Sequence, residues 1–385
     1  MRERKRIVVK VGSSLLANTE RLTLRYAFMN GLMADIADLQ ADGYDVILTS
    51  SGSVALGLNL IGRLPHEAAV LDKQAAAACG QPLLLNAYRQ VGSEHGVDIA
   101  QVLVTVDDME ERRRFLNIRN TVLRLFDRGV LPIVNENDTV ATQELKVGDN
   151  DRLAAKVAQM VQADHLVILT SIDGLYDRDP DDANAQFVET VDDVSDYLAV
   201  TEGTSSLGSG GMLTKMHAAN MAQNAGCSTI IGRGVTERPI TSLLDGSRRH
   251  TRCLAKGTPS SNWAVWLTNR LTVMGSLCLS ADAAARILGE GGPLQSEDVT
   301  SVQGQFQKGD VLHVYDDEAK EIARGIANFS ADEMIVLARH TDQSAESILG
   351  YRADNTLINQ ENFVMLEDRH LPLEAPVDAL RLVAV

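Results

Sequence analysis

Short apolar runs alternate with longer stretches of helical spacing through the first two-thirds of the chain. Residues 7–11 (IVVKV) read as a buried strand carrying a lysine inside it, and residues 24–39 have helical periodicity before the Asp42-Gly43 turn. A strand at 46–48 enters Thr49-Ser50-Ser51-Gly52. Residues 71–91 form an Ala- and Leu-rich helical segment interrupted by Gly80 and Pro82, and 97–104 is the next strand. The spacing predicts a helix over 108–128, strands over 130–134 and 166–169, and a helix over 151–161. A helix at 212–225 and a strand at 229–231 close the series. Strands alternating with helices imply a mostly parallel α/β sheet covered on both faces, a three-layer arrangement. Near Gly275 the pattern changes to short β-rich pieces such as 311–315 and 334–337, punctuated by Gly304, Gly309 and Gly325, so a small second β domain is expected.

Size and composition fit this division. A chain of 385 residues exceeds one comfortable core, and 45% hydrophobic with 23% charged is ordinary globular composition. The basic start MRERKR is followed by an apolar stretch broken at Lys10, too short for a secretory segment. Cys79, Cys227, Cys253 and Cys278 are widely spaced, with no CxxC pair, which suits a reduced, cytoplasmic protein. The formal net charge of −16 argues against general affinity for nucleic acid or anionic membrane. An anionic substrate must therefore meet local positive charge.

Five of the strand-like segments run directly into Gly, Ser, Asn, Asp or Lys. In open α/β sheets ligands bind outside the carboxyl ends of the strands, so this polar edge locates a site. Lys10 with Gly12, Ser13 and Ser14 can hold phosphate oxygens by charge and hydrogen bonds. Alone, the arrangement fits a strand-edge lysine beside a helix cap better than a phosphate site. Residues 49–57 (TSSGSVALG) repeat the design without a lysine. Residues 132–142 (PIVNENDTVAT) and 146–151 (KVGDND) supply acceptors and amides for a ligand bearing both an amine and a carboxylate. Calcium is the rival there, although EF-hand spacing is absent. Residues 208–215 (GSGGMLTK) place glycines, a threonine and a lysine at a helix start, which suits a polyphosphate, and no segment fits the P-loop pattern.

Taken in order, VKVGSS, the SSG loop, RRRFLNIRNT, PIVNENDTVA, KVGDND, LTSIDGLY and SGGMLTK resemble the glutamate 5-kinases of the amino acid kinase family. The resemblance covers roughly the first 260 residues. The later part is similar to the PUA domain that some members carry. The expected organisation is a catalytic domain over 1–260, a linker over 261–274, a PUA-like domain over 275–366 and a tail over 367–385. PUA domains elsewhere bind RNA, but residues 276–385 hold 8 Lys plus Arg against 19 Asp plus Glu, a net of −11, which argues against that use.

The resemblance implies ATP-dependent phosphorylation of the side-chain carboxylate of L-glutamate, the first step of proline synthesis, with Mg2+ bridging the phosphates and no dedicated protein metal cage. It implies that Lys10 and Lys215 neutralise charge on the transferred phosphoryl group and the leaving phosphate, and that Asp149 holds the two lysines. Ser51, Asp138 and Asn150 match glutamate-binding positions. Lys10, Gly12, Thr170, Ser171 and the run Ser209, Gly210, Gly211, Met212, Leu213, Thr214 and Lys215 match nucleotide positions. Feedback inhibition by proline near Asp138 and Asn150, a homo-oligomer and hand-off of the acyl phosphate to the next enzyme are further implications.

Two departures stand out. Thr170-Ser171 replaces a common Thr-Asp, putting an acidic contact near the nucleotide in doubt, and Ser51-Gly52-Ser53 replaces a common Ser-Gly-Ala. Acetylglutamate kinases and aspartokinases usually carry Gly-Gly after the first lysine, where this chain has Gly12-Ser13, and a uridylate kinase would not predict the NEND and GDND pair. A different class, an RNA-associated or metabolite-sensing protein with an inactive kinase-like domain, would be favoured by loss of Lys10, Lys215 or Asp149. All three are present.

Overall fold

The computed structural model describes residues 4–18, 23–62, 68–140, 149–178, 180, 182–198, 211–259, 273–353 and 355–366. The expected linker, apart from its last two residues, and the expected tail lie outside them. The chain divides into two compact units, Met1–Trp263 and Ala264–Val385.

The first unit is built on an eight-stranded sheet. Its strands in chain order are β1 (Arg6–Val11), β2 (Asp45–Ser50), β3 (Ile99–Val104), β4 (Leu131–Glu136), β5 (His165–Thr170), β6 (Thr190–Val191), β7 (Ser228–Arg233) and β8 (His250–Cys253), arranged β6-β8-β7-β5-β1-β2-β4-β3. All pairings are parallel except β7 with β8. The expected mostly parallel α/β sheet is therefore the observed one.

Successive strand residues face opposite layers, and β1 shows both. Ile7, Val9 and Val11 join a core with Met29, Leu32 and Ile36 of α1 (Tyr26–Ala41). Val8 and Lys10 face the other layer, where α5 (Asp149–Met160) packs on β1. Because both faces are covered, all six residues of β1 are buried. In register, Lys10 lies beside Thr49 on one side and Ile168 on the other, and Val11 lies beside Ser50 and Leu169. The central strands thus deliver their polar ends to one edge.

Helix α2 (Ser53–Leu60) starts after Gly52, whose φ of 111° lies in the region that favours glycine, and it crosses α3 (Val70–Glu94) in backbone contact. The expected interruption at Gly80 and Pro82 does not occur. Helix α3 runs through both, and a Cβ at Gly80 would lie 1.8 Å from the carbonyl oxygen of Ser53, so the glycine is a packing requirement. The single helix expected over 108–128 is instead two. Glu111 turns extended (ψ 117°) after Val106–Glu110, and its carboxylate accepts from the amides of Arg113 and Arg114, capping α4 (Arg112–Asp127).

The second unit holds a five-stranded sheet of β9 (Val273–Leu279), β10 (Val299–Gly304), β11 (Val311–Tyr315), β12 (Glu321–Ile326) and β13 (Phe363–Met365), ordered β10-β9-β11-β12-β13. Only β9 with β11 is parallel. Helices α7 (Ala281–Glu290) and α8 (Ala331–Arg339) cover its core of Leu277, Leu312, Val314, Ile287 and Met334. The β reading of 334–337 is corrected here. Those residues lie in α8, because Ser330 and Glu333 form a capping box and Ala331, Met334, Leu337 and Ala338 make one buried helical stripe.

Candidate active site

Lys10 enters the site from the penultimate position of β1, and Lys215 from the first turn of α6 (Met212–Asn224). Both are more than 90% buried, and one carboxylate lies between them. Asp151 places Oδ1 2.6 Å from Lys10 Nζ and Oδ2 3.1 Å from Lys215 Nζ. Thr214 Oγ1 donates to the same Oδ2 at 2.9 Å, so the carboxylate is held from three sides. Two ammonium groups against one carboxylate leave one surplus positive charge at the strand edge.

The electrostatics follow from this packing. Burial disfavours the charged Lys10 and outweighs the attraction of Asp151, and with repulsion from Lys215 it holds the ammonium below its ordinary pKa. Burial would raise the Asp151 carboxyl, but the combined pull of Lys10 and Lys215 and its hydrogen bonds keep it below the usual carboxylate range.

The role expected of Asp149 is thus corrected: the carboxylate that spans the two lysines belongs to Asp151. Asp149 opens α5, and its side chain lies outside the described ones. A helical phase argument could have found the right residue. Asp151 shares a face with Ala154, Ala155 and Ala158, all fully or almost fully buried, so it is an acid on the apolar stripe of a helix.

Asn150, on the preceding position of α5, reaches across to the β2 loop. Its Nδ2 donates to Ser51 Oγ at 2.6 Å and to the Ser50 carbonyl at 3.4 Å, which brings together two of the three expected glutamate-binding residues. The Asn150 Oδ1 is buried with no hydrogen-bond partner among the described residues. Asp138, also buried, lies beyond the end of β4 in the wall of a cavity of about 570 Å³, with Ser53, Gln81, Arg89, Leu103 and Glu136. Gln81 in that wall is held by Asn135, whose side-chain amide donates to Gln81 Oε1 at 2.8 Å.

The remaining nucleotide positions are placed as follows. A Cβ at Gly12 would stand in ordinary contact with the Leu169 carbonyl oxygen at 3.8 Å and with Lys10 Nζ at 3.9 Å. Thr170 ends β5, Ser171 follows it exposed, and the Thr170 carbonyl accepts from the Gly234 amide at 2.8 Å. Gly211 caps α6, Met212 and Lys215 face inward, and Leu213 is half-buried. Ser209 and Gly210 lie outside the described residues, as does Lys146. The Thr214 hydroxyl is taken up by Asp151 and by the Gly211 carbonyl, a positioning role that sequence reasoning did not assign.

A mostly parallel α/β sheet with a buried lysine–carboxylate–lysine triad beside the Ser51–Asn150 pair at its carboxyl edge defines an α/β protein with a site suited to an anionic ligand. The chain belongs to the Amino acid kinase family, whose sequence profile matches residues 5–233. The PUA domain profile matches residues 275–349. A "Glutamate 5-kinase" of Paramagnetospirillum magneticum is 42% identical over 94% of this chain and 98% of its own length. One from Caulobacter vibrioides is 41% identical over 90% of this chain and 93% of its own. Among solved structures, a carbamate kinase from Giardia lamblia bound to AMP-PNP has a TM-score of 0.50 at 16% identity, covering 66% of this chain and all of its own, a likeness of fold alone. The chain is a kinase with ATP as a substrate. Among the described residues no helix is long and apolar enough to cross a membrane.

Proposed function

We propose that this chain transfers the γ-phosphoryl group of ATP to the γ-carboxylate of L-glutamate, giving L-glutamyl 5-phosphate and ADP, the first step of proline biosynthesis from glutamate. The observation that carries the reading is the Asp151 clamp on Lys10 and Lys215 beside the Ser51–Asn150 pair. Relatives of the same name over nearly the whole chain support it.

A carboxylate of ordinary pKa about 4.3 is ionised at neutral pH and needs no general base. One of its oxygens attacks the γ-phosphorus, the bond to the β–γ bridging oxygen breaks, and its electron pair leaves with ADP. The obstacle is repulsion between two anions, and the two buried lysines offset it where charge moves to the leaving phosphate. The surplus positive charge of the triad fits a polyphosphate. Magnesium supplies further neutralisation when bound, and it would be carried chiefly by the phosphates themselves. Ser51, Asn150 and Asp138 hold glutamate, with Asp138 toward the α-ammonium group. Gly12, Thr170, Ser171 and 209–215 hold the nucleotide.

Proline shares the α-amino and α-carboxylate groups of glutamate, so it competes near Asp138 and Asn150 and limits flux. The enzyme works in the cytoplasm as a homo-oligomer and passes its labile product to the next enzyme. The acidic PUA-type unit does not serve as a general RNA holder.

The test is turnover with ATP, magnesium and hydroxylamine, following acyl hydroxamate and ADP together, with L-aspartate, N-acetylglutamate and UMP as alternatives. Hydroxamate from glutamate alone, lost in Lys10→Ala and Lys215→Ala by about 10²-fold or more, establishes the reading. ADP without hydroxamate, or turnover only with UMP, overturns it.

A further inference from the structure

The loop that carries Ser51 is held from behind by two buried hydroxyls. Ser50, the last residue of β2, and Tyr88, on α3, are both fully buried, and their oxygens stand 2.9 Å apart. Ser50 Oγ also donates to the Ser51 carbonyl at 3.2 Å. A serine hydroxyl has one proton, so once it is given to that carbonyl, the proton between Ser50 and Tyr88 must come from the phenol. The order of donation is then Tyr88 to Ser50 to the Ser51 carbonyl. Burial pushes the Tyr88 phenol well above its usual pKa, so it keeps its proton throughout the working range.

The consequence lies in the peptide between Ser51 and Gly52. No described peptide is cis, so its N–H points opposite to its C=O. With the carbonyl turned back toward Ser50, the Gly52 N–H faces the other way. The neighbouring peptide is pinned as well, since Asn150 Nδ2 approaches the Ser50 carbonyl at 3.4 Å while bonding Ser51 Oγ. Gly52 completes the turn at φ 111°.

We propose that Tyr88 is a positioning residue for the reaction: through Ser50 it fixes the Ser51–Gly52 peptide so that the Gly52 N–H donates to the substrate carboxylate beside Ser51 and Asn150. Tyr88 touches neither substrate. Its effect travels through a single hydrogen-bonded serine to a backbone donor, and such preorganised donors gain their value from not having to reorganise. The proposal rests on the glutamate-kinase reading for the identity of the carboxylate, but the fixed peptide can be observed without it.

Tyr88→Phe keeps the buried ring and removes the hydroxyl, and Ser50→Ala removes the middle of the relay. Hydrogen exchange of the amides of residues 51–54 in the full chain reads the peptide directly, and exchange about tenfold faster in both variants is expected, with α1 unchanged. In the hydroxamate assay the glutamate KM should rise about 5- to 20-fold, with the ATP KM within about twofold. The double variant should be no worse than Ser50→Ala, because the two act in series.

Unchanged exchange in Tyr88→Phe overturns the relay, whatever the kinetics. A parallel rise in both KM values with faster exchange throughout the unit overturns it too, since that is general loosening. Faster loop exchange in a chain that makes no hydroxamate from glutamate keeps the relay and removes the substrate reading. The two failures are thereby separable.

Discussion

Lys10 lies near the end of the first strand and Asp151 in the first turn of α5, and their side chains meet at 2.6 Å with almost no solvent access to either. A pair this buried is held at the cost of desolvation, so removing one member leaves an uncompensated charge. Asp151→Asn leaves two facing ammonium groups with no anion between them. We expect a loss of about 3 kcal/mol in unfolding free energy, read from urea titration. Turnover should fall on the order of 10²-fold or more as the lysines lose their placement. Unaltered turnover would show that the lysines need no clamp.

On the proposed reading, Lys10 sets the alkaline limb of the rate. Burial lowers its pKa from 10.5, and the enzyme needs it charged, so kcat/KM should fall at a pH below that of an ordinary lysine. The Asp151 carboxylate works against this lowering. Asp151→Asn should therefore move the limb to still lower pH, while bound ATP, being anionic, moves it upward in kcat. For stability the pH dependence runs the opposite way. The unfolded chain binds this proton more tightly than the folded one, so the Lys10 contribution to stability rises with pH between the folded and unfolded pKa values. A pH–rate series with the wild type and the variant checks both shifts, and a limb that moves upward in Asp151→Asn would contradict the assignment.

How much of this was legible differs from residue to residue. Lys10 announces itself because it breaks a buried apolar run, and Lys215 because it follows a glycine-rich turn at a helix start. Asp151 does not, because Asp149, Asn150 and Asp151 are adjacent polar residues and only the helical phase decides which of them faces the sheet. The parallel sheet was legible from its unbroken apolar strands. The helix at Ala331–Arg339 was not, because four apolar residues in a row fit a strand equally well until the Ser330 and Glu333 cap is noticed. Glu111 breaks its helix through side-chain bonds to Arg113 and Arg114 amides, a local contact that hydrophobic periodicity does not register.

Asn150 and Ser51 should separate from the lysines in kinetics. They meet each other at 2.6 Å and stand on the glutamate side of the proposed site, so Asn150→Ala should raise the glutamate KM by roughly tenfold while leaving the ATP KM within about twofold. Ser51→Ala should do the same to a smaller extent. If either variant instead weakened ATP alone, the division of the crevice between its two substrates would have to be reversed.

The substrate loop is also fixed by a contact that involves no polar side chain. A Cβ at Gly80 would lie 1.8 Å from the Ser53 carbonyl oxygen and 2.7 Å from the Gly57 amide nitrogen, both backbone atoms of α2. Gly80→Ala therefore cannot be absorbed by a rotamer change and must push α2 away from α3. Overpacking of this kind costs about 1–3 kcal/mol. Because Ser53 opens α2 directly after Gly52, the displacement should also reach the loop and raise the glutamate KM. Gly289, in helix α7 of the second unit, has open space around its Cβ position, and Gly289→Ala should stabilise that unit by about 0.5–1 kcal/mol without touching either KM. Thermal unfolding with glutamate kinetics on both variants distinguishes a packing glycine from a merely helical one.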